Sequence, residues 1–290
     1  MIDIILVNYN GLEDTLACIE SLKKIDRNDY EIIIVDNGSA DGSLGKLKKL
    51  QLDKVIVLDS GGNLGFSGGN NMGINYALEH CSDYVLLLNN DTLVEPDFLT
   101  HMIEAEEVYE NNAIITAKIL YEFDRKTIWY AGGEFNFKTS RTSSCGINEI
   151  DSGKYDLMRP VTFISGCCML IPVKAIKEVG LMEEDYFLYC EDTDYGCRFT
   201  KHGYILAYQP LSRIYHKVSA TTSKLSDLMN YYIVRNKLVI IKRHVEKTYR
   251  YVAYFYVLLE SFKRMVFREY NLKSVIKAYI HFVKGKTGKV

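Results

Sequence analysis

The sequence predicts an α/β protein: a mostly parallel central sheet with helices on both faces, followed by a basic helical extension. Three observations predict it. Short β-branched runs alternate with amphipathic segments through the first half of the chain, each run ends in polar or glycine-rich residues, and charge is split unevenly between body and C-terminus. With 290 residues, 48% of them hydrophobic and 25% charged, the chain can build one large domain and an appendage. Four prolines and well-spread glycines exclude a disordered or fibrous chain.

Taken in order, residues 4–7, 31–35, 54–58, 84–88 and 113–117 read as strands, brief and apolar throughout. Between the first two, Leu12, Leu16, Ile19 and Leu22 recur at helical spacing. Pro96 ahead of Phe98, Met102 and Ile103 reads as the first turn of a further helix. Continuous apolar strands alternating with helices are those of a parallel sheet buried on both sides. From about 118 to 160 the pattern turns to Gly, Ser and aromatic residues, including Trp129-Tyr130-Ala131-Gly132-Gly133, which predicts a β-rich excursion. Residues 162–171 read as a returning strand and 191–202 as a helix. The chain beyond is helical and basic, so the expected division is 1–225 and 226–290.

From 235 to 290 there are 14 Lys/Arg against 3 Asp/Glu, and 21 against 34 before it, so the net charge of -2 conceals a basic tail on an acidic body. Such a tail suits an anionic surface. Tyr251, Phe255, Leu258, Phe262 and Met265 recur at spacings of three and four, with Arg250, Lys263, Arg264 and Arg268 nearby. This describes either a helix resting in a membrane headgroup layer or one packed on the body or on the second subunit of a homodimer. No nucleic-acid-binding module accompanies the charge, so a nucleic-acid partner is not expected. Seven cysteines without a Cys-x-x-Cys pair point to reduced thiols rather than zinc or disulfides. The first apolar run is too short for a signal-peptide core, and no stretch is long enough to span a bilayer. A cytoplasmic protein, peripheral at the inner face of the cell membrane, is expected.

In parallel sheets ligands gather at the carboxyl ends of strands. The segments there are Asn8-Tyr9-Asn10, Asp36-Asn37-Gly38-Ser39, Gly61-Gly62-Asn63-Leu64-Gly65 and Asn89-Asn90-Asp91-Thr92. Any one would pass for a turn; four in succession point to a nucleotide site. Asp91, after the apolar run Tyr84-Val85-Leu86-Leu87-Leu88, suits Mg²⁺ or Mn²⁺, since a Mg²⁺ site uses one or two carboxylates plus phosphate oxygens. Its competing role is an Asx-turn or helix cap. Glu191-Asp192-Thr193-Asp194 opens a predicted helix, where acids match the helix dipole, and Asp194 stands four residues before Arg198, a pairing distance.

The ordered set Val7-Asn8-Tyr9-Asn10, Val35-Asp36-Asn37-Gly38-Ser39-Ala40-Asp41-Gly42, Asn63-Leu64-Gly65-Phe66-Ser67-Gly68-Gly69-Asn70 and Leu88-Asn89-Asn90-Asp91 resembles family 2 glycosyltransferases. It is most similar to the rhamnosyltransferase-like branch that builds bacterial O-antigen and capsule. The likeness continues through Phe163-Ile164-Ser165-Gly166, Phe187-Leu188-Tyr189-Cys190-Glu191-Asp192-Thr193-Asp194, Arg198, Gly203-Tyr204, and Tyr231-Tyr232 with Arg235-Asn236.

This resemblance implies a Rossmann-like fold of the glycosyltransferase A type. It also implies inverting transfer from a nucleoside-diphosphate sugar, with dTDP-rhamnose suggested by the branch, to a lipid-linked oligosaccharide or polysaccharide. Asp36 and Asp41 would contact base and ribose, Asn8 and Asn10 would floor the pocket, and Asn63, Gly65, Asn89 and Asn90 would lie beside the nucleotide. Asp91 corresponds to the last acid of the family's Asp-x-Asp metal motif, whose first acid is replaced by Asn89. His216 falls where the family sometimes supplies a further ligand; the alternative is a loop histidine beside Lys217. Asp192 would be the general base, a role worth about 10²–10⁴-fold in rate. Glu191 and Tyr189 would stand on the acceptor side, with Tyr189 either core or stacked on sugar. A dehydrogenase would need Gly-x-Gly-x-x-Gly where Asn8-Tyr9-Asn10-Gly11 stands. A non-catalytic sugar-nucleotide binding module of the same fold is the remaining rival, and the presence of both Asp91 and Asp192 argues against it.

Overall fold

The computed structural model describes residues 1–50, 52–218 and 227–290. The first half runs β1 (Ile2–Asn8), α1 (Leu12–Leu22), β2 (Tyr30–Asp36), α2 (Ser43–Lys49), β3 (Val55–Asp59), α3 (Gly65–Glu79), β4 (Tyr84–Asn89), β5 (Thr92–Val94), α4 (Phe98–Val108) and β6 (Ala113–Tyr121). Strands β3, β2, β1 and β4 lie side by side and parallel. Their apolar character is continuous because both faces are covered. Ile2, Ile4 and Leu6 of β1 share one core with Cys18, Ile19 and Leu22 of α1 and Phe98 and Met102 of α4. Ile5, pointing the other way, joins Ile74 and Ala77 of α3.

Helix α3 lies against β1 closely enough to demand glycine. A Cβ on Gly73 would come within 2.6 Å of Ile5, and one on Gly69 within 2.8 Å of Val7. The strand thus requires Gly69 and Gly73 despite their poor helix propensity.

The second half continues β7 (Ile128–Tyr130), β8 (Gly133–Asn136), β9 (Arg141–Ser144), β10 (Arg159–Val161), β11 (Cys168–Pro172), α5 (Val173–Val179), α6 (Glu191–Lys201), β12 (Ile205–His216), α7 (Asp227–His244), α8 (Arg250–Val266) and α9 (Leu272–Val283). Strand β11 enters antiparallel between β4 and β6, and β12 lies parallel to β6. Among the described residues the sheet has ten strands, and β8 and β9 form a separate hairpin.

Two expectations need correcting. The returning strand occupies only Cys168–Pro172, because Cys168 N donates to Ser165 O and Cys167 N to the Ser165 hydroxyl, closing a turn where 162–167 were expected to be extended. Pro96 lies outside α4, whose N-cap is Asp97. The boundary expected between 225 and 226 falls outside the described residues.

Strand β12 carries a bulge. Gln209 is paired with Ala117, yet the next pair is Arg213 with Lys118, so Pro210, Leu211 and Ser212 stand outside the ladder. Against the 187–189 segment, α7 packs with α8 and α9 through Val234, Leu238, Ile241, Ala253, Val257, Val275 and Ala278. The outer faces of α8 and α9 stay bare: Tyr251 is 85% exposed and Val283 80%. No described helix is long and apolar enough to cross a membrane. All seven cysteines are free thiols.

Candidate active site

The four polar segments form one rim, because strand register aligns their ends: Asn8 lies opposite Asp36, Val7 opposite Asn89, and Asp36 opposite Asp59. Asn8 Nδ2 donates to Asp36 Oδ2 at 2.8 Å and to the Ser39 hydroxyl at 3.1 Å, while Asn8 Oδ1 accepts from the Thr15 hydroxyl at 2.9 Å. Asp36 Oδ1 accepts from Ser39 N at 3.0 Å, and Asn90 Nδ2 donates to the Thr15 hydroxyl at 2.8 Å. Both Asn8 and Asp36 are essentially sealed from solvent. Their bonds tie the first two rim loops together from beneath. The Asp41 carboxylate is exposed and accepts from Ser43 N at 3.0 Å.

Above that layer opens a cleft of about 730 Å³, lined by Asn10, Asn63, Gly65, Asn89, Asn90 and Asp91 among others. Asn10 takes a left-handed φ of 53° and accepts from Ala40 N at 2.8 Å, which clamps the two loops together. Asn37, one residue past β2, holds the third loop: its Oδ1 accepts from Leu64 N and its Nδ2 donates to Gly65 O, both at 2.9 Å.

Asp91 meets His216 at the cleft wall, with Oδ1 3.2 Å from Nε2. His216 is the last residue of β12, paired with Thr92 and only 9% exposed, so it is not a loop histidine. Its ring stands edge-on to Trp129 at 4.7 Å, and its buried Nδ1 finds no hydrogen-bond partner among the described residues. Two donors about 3 Å apart suit adjacent corners around an ion with bonds near ~2.1 Å. No group of three or more His, Cys, Asp or Glu side chains surrounds such a point among the described residues. The pair's chemistry would suit a divalent ion if phosphate and water oxygens supplied its remaining ligands.

Asp192 is the second residue of α6, which is preceded by a backbone with left-handed φ at Phe187 (60°), Tyr189 (69°) and Cys190 (70°). Such conformations persist only where neighbours over-determine them. Here Asn236 Nδ2 is shared among the carbonyls of Tyr186, Leu188 and Tyr189 at 2.9, 2.8 and 2.8 Å, and Arg235 Nη2 donates to those of Asp185 and Tyr186, each at 2.9 Å. The Asp192 carboxylate accepts from Gly166 N at 3.2 Å and from Thr193 N at 2.6 Å. Burial raises its pKa in spite of these donors. Glu191, next to it, is raised by burial and by Asp192's charge, and its Oε2 lacks a partner among the described residues.

The two acids are linked through one short segment. Gly166 N bonds Asp192, and the adjoining Cys167 O accepts from Asn89 N at 2.9 Å, two residues before Asp91. Asp192 does not itself line the cleft, but Phe66 does, and a Cβ on Gly166 would meet Phe66 at 3.2 Å and Asp192 at 3.4 Å. Asp194 has a separate role. Burial favours its neutral form, but His244 at 2.7 Å and Arg198 at 2.9 Å outweigh that and hold its pKa low, with Tyr186 OH donating at 2.8 Å. Tyr189 is half-buried, and desolvation raises its hydroxyl.

Sequence reasoning missed several cleft residues. Lys217, Tyr232, Lys289 and Val290 line the cavity as well. Tyr231-Tyr232 and Arg235-Asn236 were visible as motifs, but nothing near 289 signals a return to residue 63.

A parallel sheet with a polar rim, an antiparallel strand inserted beside it, and a helix presenting a second acid is the architecture of the glycosyltransferase A-type fold. Two solved structures share it. GalNAc-T7 with UDP, GalNAc and Mn²⁺ superposes with a TM-score of 0.66 at 14% identity, covering 83% of this chain and 47% of that one. TarS 1–349 of S. aureus gives 0.57 at 15% identity, covering 91% and 73%. Residues 3–180 match Glycosyl transferase family 2, and the chain belongs to that family. It is a rhamnosyltransferase-like glycosyltransferase. The low-salt glycan biosynthesis hexosyltransferase Agl10 of Haloferax volcanii is 27% identical over 99% of this chain and 92% of its own length. The dTDP-rhamnosyl transferase RfbF of Shigella flexneri is 23% identical over 83% and 79%, and rhamnosyltransferase WbbL of Escherichia coli K12 is 28% identical over 74% and 83%.

Proposed function

We propose that the chain transfers a sugar with inversion from a nucleoside-diphosphate sugar, dTDP-rhamnose first among candidates, to a lipid-linked oligosaccharide or polysaccharide. The observation that carries this reading is Asp91, on the cleft wall and backed by His216, in a rim tied through Cys167 and Gly166 to Asp192. Asn10, Asn63, Gly65, Asn89 and Asn90 line the space for base, ribose and diphosphate, over the buried support of Asn8 and Asp36. Asp91 and His216 would hold Mg²⁺ or Mn²⁺, in keeping with the Mn²⁺ and UDP of GalNAc-T7. When bound, the ion supplies Lewis-acid stabilisation of charge on the diphosphate.

In this mechanism the acceptor oxygen bonds to the anomeric carbon from the face opposite the diphosphate. The bond from that carbon to the phosphate oxygen breaks, and the acceptor's proton passes to Asp192. A raised pKa makes Asp192 a better proton acceptor than an ordinary aspartate, provided the pH keeps it ionised. Glu191 and Tyr189 flank the acceptor. The test is product stereochemistry: dTDP-rhamnose with a lipid-linked acceptor should give an inverted anomeric centre, and retention would overturn the reading.

We assign residues 1–225 to catalysis and, within 226–290, the outer face of α8 and α9 to docking on the cytoplasmic leaflet, while α7 and the C-terminal strap border the cleft. Tyr251, Phe255, Leu258, Phe262 and Val266 on α8 and Ile276, Ile280 and Val283 on α9 leave an apolar surface bare. Lys263, Arg268, Lys273, Lys277 and Lys284 lie on or beside the same helices, so the complementary partner is an anionic bilayer. A homodimer through this face is the competing outcome, read from the mass in solution.

A further inference from the structure

We infer that Lys289 is a donor-binding residue whose ammonium group neutralises the diphosphate of the bound and departing nucleotide; this rests on reading the cleft as the donor site. After α9 the chain doubles back across the molecule and is pinned there. Gly288 N donates to Asp185 O at 2.6 Å, the Thr287 hydroxyl to Asp185 Oδ1 at 2.8 Å, and Val290 N to the Tyr232 hydroxyl at 3.0 Å. The anchor is Arg235, fully buried, whose Nη1 donates to Gly288 O at 2.7 Å while Nη2 holds the carbonyls leading into the Asp192 helix.

This strap sets Lys289 on the cleft wall, with Nζ donating to Asn63 O at 3.1 Å and lying 5.6 Å from the centre of the Phe187 ring. An ammonium has three donors, so two remain for a ligand. Among the described residues no carboxylate lies within ion-pairing distance of it. The cleft's other lysine differs: Lys217 is tied to Asp14 at 2.6 Å.

The charge balance explains the need. Breaking the glycosidic bond leaves one more negative charge on the diphosphate. With Asn89 in place of an acid, Asp91 is the sole carboxylate at the end of β4, so an ion would be held more loosely and would less often be present to take up that charge. A further cation inside the cleft offsets charge developing there. Lys289 supplies it from a chain segment far from the family's motifs.

The experiment is calorimetric titration of the full chain, as wild type, Lys289→Met and Lys289→Arg, with dTDP and UDP and with the nucleosides thymidine and uridine, in EDTA and in Mn²⁺. The side chain is exposed, so folding should survive and is checked by the unfolding midpoint. Lys289→Met should weaken diphosphate binding about tenfold or more in EDTA, the worth of one charge-assisted hydrogen bond. Nucleoside binding should not change, and Lys289→Arg should keep most of the affinity. Unchanged diphosphate affinity in Lys289→Met overturns the inference alone. Tighter binding also overturns it, showing a plug rather than a ligand contact. A wild type that binds neither nucleotide overturns the donor-site reading and this inference with it.

Discussion

The rim of the parallel sheet and the outer face of α8 and α9 treat their side chains in opposite ways. At the rim, Asn8, Asp36, Ser39, Thr15 and Asn90 bond one another, and the polar atoms left over face a defined cavity. On α8 and α9 large apolar side chains are held apart from every internal core, with Phe262 62% and Val266 63% exposed. The rim encodes position, so single atoms matter. The helical face encodes area, so side chains act additively and their identity matters less than their apolarity.

That contrast is sharpened first by its largest expected effect. Asp192→Asn should keep donor affinity and lose about 10²–10⁴-fold in turnover, measured by product formation alongside calorimetry. In the wild type, the acid limb of kcat/KM should lie above the ordinary aspartate range, because burial raises this carboxyl and only its ionised form accepts a proton. A limb at or below that range would show that another group titrates. Next, Asp91→Ala should weaken nucleoside-diphosphate binding in Mn²⁺ by about 100-fold, with little change in EDTA. Equal affinity in both media would remove Asp91 from the ion.

The smallest effect belongs to the helical face. Phe255→Glu with Phe262→Glu should reduce binding to vesicles containing phosphatidylglycerol about tenfold or more, with unchanged transfer to a soluble acceptor analogue. Either single change should do roughly half of this in free energy. The contrast breaks if one replacement on α8 abolishes turnover as thoroughly as Asp192→Asn, or if these variants alter mass in solution instead of vesicle binding.

Much of the frame was legible because burial on two faces writes itself as unbroken apolar runs. Ile4, Ile5 and Leu6 announce a covered strand without reference to anything else. Rim positions followed from the strand ends, and so did Asp91. Roles were harder. Asn8 and Asp36 carry the same motif residues whether they meet a ligand or brace a loop, and the bonds they make, Asn8 to Asp36 and Thr15 to Asn8, exist only in the folded chain. Phe163 and Ile164 look extended, yet the Ser165 turn follows them, set by hydrogen bonds that no periodicity reports. Lys289 was invisible because its placement depends on Arg235 and Asp185, contacts across the whole fold.

The bulge in β12 has a consequence for insertions and deletions. His216 reaches Asp91 only because Pro210, Leu211 and Ser212 are omitted from pairing, which resets which side chains point inward from Arg213 onward. A slip of one residue in the pairing that resumes at Arg213 would send the imidazole to the reverse side of the ribbon, although every residue of the site remained intact. The constraint therefore falls on the pairing from Arg213–Lys118 to His216–Tyr121, and the unpaired trio is where the strand can change without moving the site.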